Sequence, residues 1–407
     1  MRSSGNRSRK VEAAALPAET LEQPFPDINL SLHPPYPAAE AKSVKDVPRG
    51  GEWLYEPKWD GFRCIAFRSG DEVILQSKAG QPLTRYFPEI VDTLRSLAPR
   101  KFVLDGEIVV RSQGSGSAVE LDFDALLQRI HPAATRIQRL SRETPATYLV
   151  FDLLLNEKGE PLVDQPLSTR RKKLEGFAER FLSKKNADRL QLSPAATEFS
   201  TAEKWMREGA AHGWDGVVAK RLDCEYTSGE RTGMVKIKRI RTADCVIGGF
   251  RWLRGKSTTA DSAHGKKPAA GKKSEEEVGS LLLGLYNDHG ELDHVGFSAS
   301  FSREDRKKLK SILKPLIAGP PRNSGDDVPA GSGGFTGKAP GGPSRWTKDD
   351  RDTEWVPLKP KLVGEFQYDH FSGGRFRHGT KFLRWRPEKK PEQCTMDQLK
   401  PAQPKAA

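Results

Sequence analysis

The stretch YEPKWDGFR, Tyr55 to Arg63, sets one lysine, Lys58, between two acids, Glu56 and Asp60, and follows them with a glycine and an arginine. On an extended segment side chains two apart share a face. Glu56, Lys58 and Asp60 are therefore expected to line one pocket while Pro57 and Trp59 point the other way. The Asp60-Gly61 pair is a strong turn signal and is expected to end the strand. Taken alone, the segment also reads as a hairpin edge carrying solvated charges, so its meaning depends on what the chain places around it.

At 407 residues the chain exceeds the usual single domain, and two folded units plus tails are expected. Lys and Arg outnumber Asp and Glu by 67 to 54, a formal charge of +13, which favours a polyanionic partner such as nucleic acid. No apolar run approaches the length of a spanning helix, and the start MRSSGNRSRK lacks the apolar core of a signal peptide, so a soluble intracellular protein with no membrane partner is expected. The four cysteines, Cys64, Cys224, Cys245 and Cys394, form no C-x-x-C pair, which argues against a disulfide framework and a zinc ribbon.

Residues 1–33 are rich in basic, Ala and Pro residues without a period and read as a flexible basic arm. Strand character recurs at 62–67, 73–76, 102–104, 108–110 and 148–155, with helical spacing at 88–98, 122–130, 169–182 and 201–213. Two further strands are expected at 215–221 and 234–240. After Thr242 the composition changes to strands at 243–250, 280–286 and 294–300, a helix at 303–317 and last strands at 362–368 and 381–385, the pattern of a small barrel. Residues 255–277 and 319–344 read as flexible insertions, and 396–407 as a tail.

Taken in order, KWDGFR (58–63), LDGEIV (104–109), VFDLLL (150–155), DGVVAK (215–220) and MVKIK (234–238) resemble the ordered motif set of the covalent nucleotidyltransferases: ATP-dependent DNA ligases, RNA ligases and capping enzymes. With the end segment RHGTKFLRWRPEK (377–389), the chain is similar to the stand-alone bacterial ATP-dependent DNA ligases of end joining. The resemblance implies an α+β fold. An ATP-grasp-like adenylyltransferase domain is expected over 34–241, followed by a β-barrel OB-fold domain over 242–395.

In that setting Lys58 is expected to be the nucleophile that takes AMP as a phosphoramidate. An amine with an ordinary pKa of about 10.4 is almost wholly protonated at neutral pH, so nearby cations or a metal are expected to lower it. Lys236 and Lys238 are candidates for that charge and for holding the triphosphate. Glu107 and Asp215, each in a turn beside a strand, are candidate ligands for Mg²⁺ or Mn²⁺. The resemblance implies that Glu107 also contacts the ribose, that Phe151 stacks on adenine, that Glu56 lies near the base and that Arg63 lies near the sugar. Asp215 stands where the family commonly has glutamate, and Lys78 where it usually has arginine, which turns a bidentate phosphate contact into a point charge. Arg231 is a further candidate ATP contact. The resemblance also implies that Arg384, Arg386 and Lys389 swing over the active site and orient the departing pyrophosphate.

The implied activity is ATP-dependent sealing of nicks or broken ends in duplex DNA by a monomer in the bacterial cytosol, nucleoid-associated, with an end-binding Ku-type protein as a family-level partner. Rival readings are an RNA ligase, a capping-type guanylyltransferase using GTP, and a non-catalytic basic nucleic-acid-binding protein. NAD as AMP donor is not expected, because relatives using it carry zinc-binding cysteines that have no counterpart here.

Overall fold

The computed structural model describes residues 25–113, 119–182, 186–253, 277–323, 333–340, 354–377 and 379–399. The chain divides into two compact units, Met1–Lys238 and Arg239–Ala407. The division falls before residue 241, where it was expected, because Arg241 already belongs to a strand of the second unit, Arg241–Leu253.

The strands of the first unit are β1 (Lys42–Ser43), β2 (Trp53–Trp59), β3 (Phe62–Ser69), β4 (Glu72–Ser77), β5 (Lys101–Gln113), β6 (Val119–Leu121), β7 (Ala146–Leu155), β8 (Leu190–Leu192), β9 (Trp214–Arg221) and β10 (Met234–Lys238). They make two sheets, one ordered β1-β10-β9-β2 and the other β4-β3-β5-β7-β8 with β6 added to β5. The helices are α1 (Pro88–Ser96), α2 (Phe123–Gln128), α3 (Ala134–Glu143), α4 (Leu167–Phe181) and α5 (Phe199–His212). The larger sheet is covered on both faces, which is why β7 is buried at every position. Alternation along β3 sorts Cys64 and Ala66 into a core with α1 and α4, and Ile65 and Phe67 into a second core with Leu30, Leu32 and Leu155. α1 opens with Pro88, whose missing N–H costs nothing there, and α5 closes on Gly213 at φ 79°.

In the second unit β11 (Arg241–Leu253), β12 (Glu277–Tyr286) and β13 (Leu292–Ser298) precede α6 (Arg303–Leu313). Then come β14 (Val356–Pro357), β15 (Val363–Tyr368), β16 (Phe371–Ser372), β17 (Arg375–Phe376) and β18 (Lys381–Trp385). The sheet runs β13-β12-β11-β15-β18. Its two edges meet where Ser298 bridges Thr380 and the Thr380 N–H donates to Phe297 O at 2.9 Å, so the sheet closes into a barrel. α6 starts on a capping box between Ser302 and Asp305.

Three expected segments take other forms. The arm expected over 1–33 lies outside the described residues as far as residue 24, but Phe25, Ile28, Leu30 and Leu32 pack into the core with Tyr226 and Ile74. Within the insertion expected over 319–344, Phe335 is fully buried against Trp355 and His294, because the barrel needs an aromatic plug there. Met396–Leu399, expected in the tail, is a 3-10 helix whose Gln398 amide bonds the backbone of Asp244 at both N–H and C=O. The insertion expected over 255–277 lies outside the described residues except Glu277, which opens β12.

Phe335→Ala should therefore destabilise the second unit by about 3–5 kcal/mol, read from denaturant unfolding. An unchanged unfolding midpoint would restore the insertion reading.

Candidate active site

Lys58 sits at a slip in the pairing of β2 with β9, where the register passes from Pro57 opposite Val217 to Trp59 opposite Trp214. The regular row of Glu56, Lys58 and Asp60 expected from alternation is therefore broken. Asp60 lies past the last strand residue, and Glu56 and Lys58 turn to different partners. The slip aims the Lys58 ammonium at Asp215 on the neighbouring strand, Nζ to Oδ2 3.2 Å, with Lys238 Nζ at 4.0 Å from the same oxygen. Asp215 is followed by Gly216 at φ 141°, where a Cβ would lie 2.0 Å from Ile237 O, so the D-G pair is required for β10 to approach.

Burial alone pulls the Lys58 pKa down, but Asp215, Asp60 and Glu107 outweigh it and hold the amine above its ordinary value. Of the cations or metal expected to lower it, the neighbouring cations do not prevail. The lysine's direct partner is a carboxylate, and Lys236 and Lys238 do not overcome that pairing. Glu107, on β5 opposite Arg63, accepts the Gly61 N–H at 3.2 Å, and burial pushes its carboxyl up to about 7. Asp215 Oδ1 is buried and has no hydrogen-bond partner.

Phe151, from the fully buried β7, is 7% exposed, with the Arg63 guanidinium 4.5 Å and the Lys220 ammonium 4.3 Å from its ring centroid. Arg63 is fixed by Asp105 through Nε–Oδ1 at 2.6 Å and Nη2–Oδ2 at 2.5 Å, and Asp105 also accepts the Tyr226 hydroxyl at 2.6 Å. Lys220 is fixed by Glu56 Oε2 at 2.7 Å. Glu56 Oε1 lies 3.8 Å from Arg171 Nη1 and has no hydrogen-bond partner. The structure thus gathers Glu56, Arg63 and Phe151 as expected, and adds Asp105, Lys220, Arg171 and Tyr226. Asp105 and Lys220 were visible within LDGEIV and DGVVAK as an extra acid and a closing cation. Arg171 and Tyr226 lie outside every motif, and their relation to the site is purely tertiary.

A cluster of cations also reaches Lys58. Lys236 is pulled below its ordinary pKa by burial and then by Lys78, Lys58, Lys238 and Arg231. Lys78 and Arg231 both pair with Glu40, an acid with no motif signal. The first unit therefore presents a buried phenylalanine ring flanked by two cations, a lysine against a carboxylate, a second carboxylate, and four further cations suited to a polyphosphate.

Glu107 and Asp215 suit a hard divalent cation that keeps most of its ligands from water and phosphate, as Mg²⁺ does, and the unpartnered Asp215 Oδ1 is the donor such an ion needs. Among the described residues no cluster of three His, Cys, Asp or Glu forms a full protein cage.

Arg384, Arg386 and Lys389 belong to the second unit. There Arg384 pairs with Glu365 at 2.6 Å, Arg386 with Glu388 at 2.6 Å and Asp244 at 2.8 Å, and Lys389 with the other Asp244 oxygen at 2.7 Å. The cations are thus held side by side within their own unit, and Asp244 is the buried acid that joins two of them.

The sequence model described as "ATP dependent DNA ligase domain" matches residues 35–238, and that described as "ATP dependent DNA ligase C terminal region" matches residues 274–389. DNA ligase C1 of Mycolicibacterium smegmatis is 42% identical over 91% of this chain and 96% of its own length. The multifunctional non-homologous end joining protein LigD of Mycobacterium bovis is 30% identical over 86% of this chain and 38% of its own. A solved chain named Pmar-Lig_Pre matches with a TM-score of 0.51 at 14% identity, over 86% of this chain and 67% of that one, a likeness of fold alone. With both units matched in order and the lysine of KWDGFR seated against its carboxylate, the chain belongs to the ATP-dependent DNA ligase family.

Proposed function

We propose that the protein seals nicks or broken ends in duplex DNA through a Lys58-bound AMP. The observation that carries this is the placement of Lys58, largely buried and paired to Asp215, in a unit that also carries the cation-flanked ring of Phe151 and a cluster of cations. Lys58 Nζ attacks the α-phosphate of ATP, a P–N bond forms and pyrophosphate leaves with the broken P–O electron pair. The AMP then passes to the 5′-phosphate of the break, and the 3′-hydroxyl displaces it as the phosphodiester forms.

Each group has a task in that sequence. Phe151, Arg63 and Glu56 hold the nucleoside, with Glu56 Oε1 as the acceptor for an exocyclic amine and Asp105 and Tyr226 keeping Arg63 in place. Lys78, Arg231, Lys236 and Lys238 hold the phosphates. The Lys58 ammonium must lose its proton before attack, and Asp215 Oδ2 is the acceptor in reach. Glu107 and Asp215 would hold Mg²⁺, which when bound supplies positive charge against the phosphates and weakens the hold of Asp215 on the ammonium.

In the second unit Arg386 and Lys389 orient the leaving pyrophosphate, with Arg384 beside them. That relatives include a protein named for non-homologous end joining supports a role in repairing broken ends. In that role we propose a monomer acting on cytosolic, nucleoid DNA alongside an end-binding protein of the Ku type. No helix among the described residues is long and apolar enough to cross a membrane.

Incubation with labelled ATP and Mg²⁺ should yield a protein–AMP adduct and sealed duplex, whereas labelled GTP should yield neither. Lys58→Ala should leave no detectable adduct and no ATP-dependent sealing; an adduct of wild-type yield in that variant contradicts the assignment. Phe151→Ala should weaken ATP binding by about 1–3 kcal/mol, measured by equilibrium titration, with the fold intact. Replacing Arg386 and Lys389 together by alanine should strongly slow adduct formation and largely spare sealing of a nick supplied already adenylylated. Equal loss in both assays would make these residues general DNA contacts.

A further inference from the structure

Three donors converge on a single oxygen at the rim of the cation cluster. Glu40 Oε2 lies 2.9 Å from Arg231 Nε, 2.8 Å from Arg231 Nη2 and 3.4 Å from Lys78 Nζ. The carboxylate is delivered there by a segment stitched to the site on both sides. The Glu40 N–H donates to Glu230 O at 2.7 Å, the Ser228 hydroxyl donates to Pro37 O at 2.6 Å, and Ala39 O accepts from Arg63 Nη2 at 3.5 Å. Two residues on, β1 pairs in parallel with Val235 and Lys236. Glu40 therefore enters along the edge of the sheet that carries the phosphate-side lysines.

Two N–H groups of one guanidinium and an ammonium on one anionic oxygen is the way proteins hold a phosphate oxygen. The surroundings repeat that preference, since the field on Lys236 comes from Lys78, Lys58, Lys238 and Arg231. Left without an anion, such a cluster repels itself and its long side chains spread. We infer that the Glu40 carboxylate is a tethered stand-in for a phosphate, keeping Lys78 and Arg231 gathered and yielding to the polyphosphate of the nucleotide or to released pyrophosphate.

This rests on the proposed role of Lys78 and Arg231 in holding phosphate. The strength of the competition follows from exposure. The Glu40 side chain is 25% exposed, Lys78 51% and Arg231 47%, so the contacts are of the weak, screened kind and the stand-in shifts affinity a few-fold without locking the site. A weak internal competitor suits turnover, because the same carboxylate that must be displaced on binding re-pairs with the cations as pyrophosphate departs.

The test uses inorganic pyrophosphate with Mg²⁺ as inhibitor of Lys58 adduct formation, on the full chain, in wild type, Glu40→Gln, Lys78→Ala, Arg231→Ala and the pairwise combinations with Glu40→Gln. Glu40→Gln, which keeps the side-chain size, should tighten pyrophosphate inhibition about two- to fivefold, and the gain should shrink as salt rises. Lys78→Ala and Arg231→Ala should weaken inhibition, and in either background the gain from Glu40→Gln should diminish. If Glu40→Gln leaves inhibition unchanged or weakens it while the cation variants behave as expected, Glu40 is a tether and the inference is overturned. If neither cation variant changes inhibition, the phosphate role of Lys78 and Arg231 fails, and the inference falls with it.

Discussion

A lysine held against a carboxylate in a largely buried site is the constraint around which the first unit is arranged. Neither charge tolerates burial unpaired, so Lys58 and Asp215 must face one another, and that fixes the slip between β2 and β9. The same rule propagates outward. Arg63 is buried with Asp105, Lys220 with Glu56, and Arg170 with Asp152, each cation meeting an acid contributed by another strand or helix. The pairs are costly to break and specific in direction, so they hold Phe151 and Lys58 in fixed relation.

The arrangement divides the site into two chemically distinct halves. Around Phe151 every charge is neutralised by a near neighbour, which suits an uncharged base and sugar. Asp215 and Glu40 pair with four cations between them, Lys58, Lys238, Lys78 and Arg231, and Lys236 lies within the field of all four. On the proposed mechanism a polyphosphate supplies the missing negative charge, and Lys58 meets the α-phosphate between the nucleoside and the leaving group.

Much of this was legible in the residues because the motifs are local. Lys58, Asp215, Lys236 and Lys238 lie in short strand motifs and Phe151 in an apolar run, although the turns expected at Glu107 and Asp215 lie instead within β5 and β9. What was not legible depends on contacts between distant segments. Tyr226 reaches Asp105 across 121 positions, and Glu40 reaches Arg231 across 191. That Lys236 and Lys238 do not lower the Lys58 pKa was hidden for the same reason, since Asp215, the acid that holds it up, lies 157 positions away. Phe335 was lost in a stretch whose Gly, Pro and Ser content outweighs one aromatic, although that ring fills the barrel.

On the proposed mechanism Lys58, and no other of the many lysines, carries the nucleotide. Protein treated with ATP and Mg²⁺ and then digested under conditions that preserve phosphoramidates can be mapped by mass spectrometry to the modified peptide. A single AMP is expected, on the peptide containing Lys58. An AMP on Lys220, Lys236, Lys238 or any other residue in place of Lys58 would contradict it.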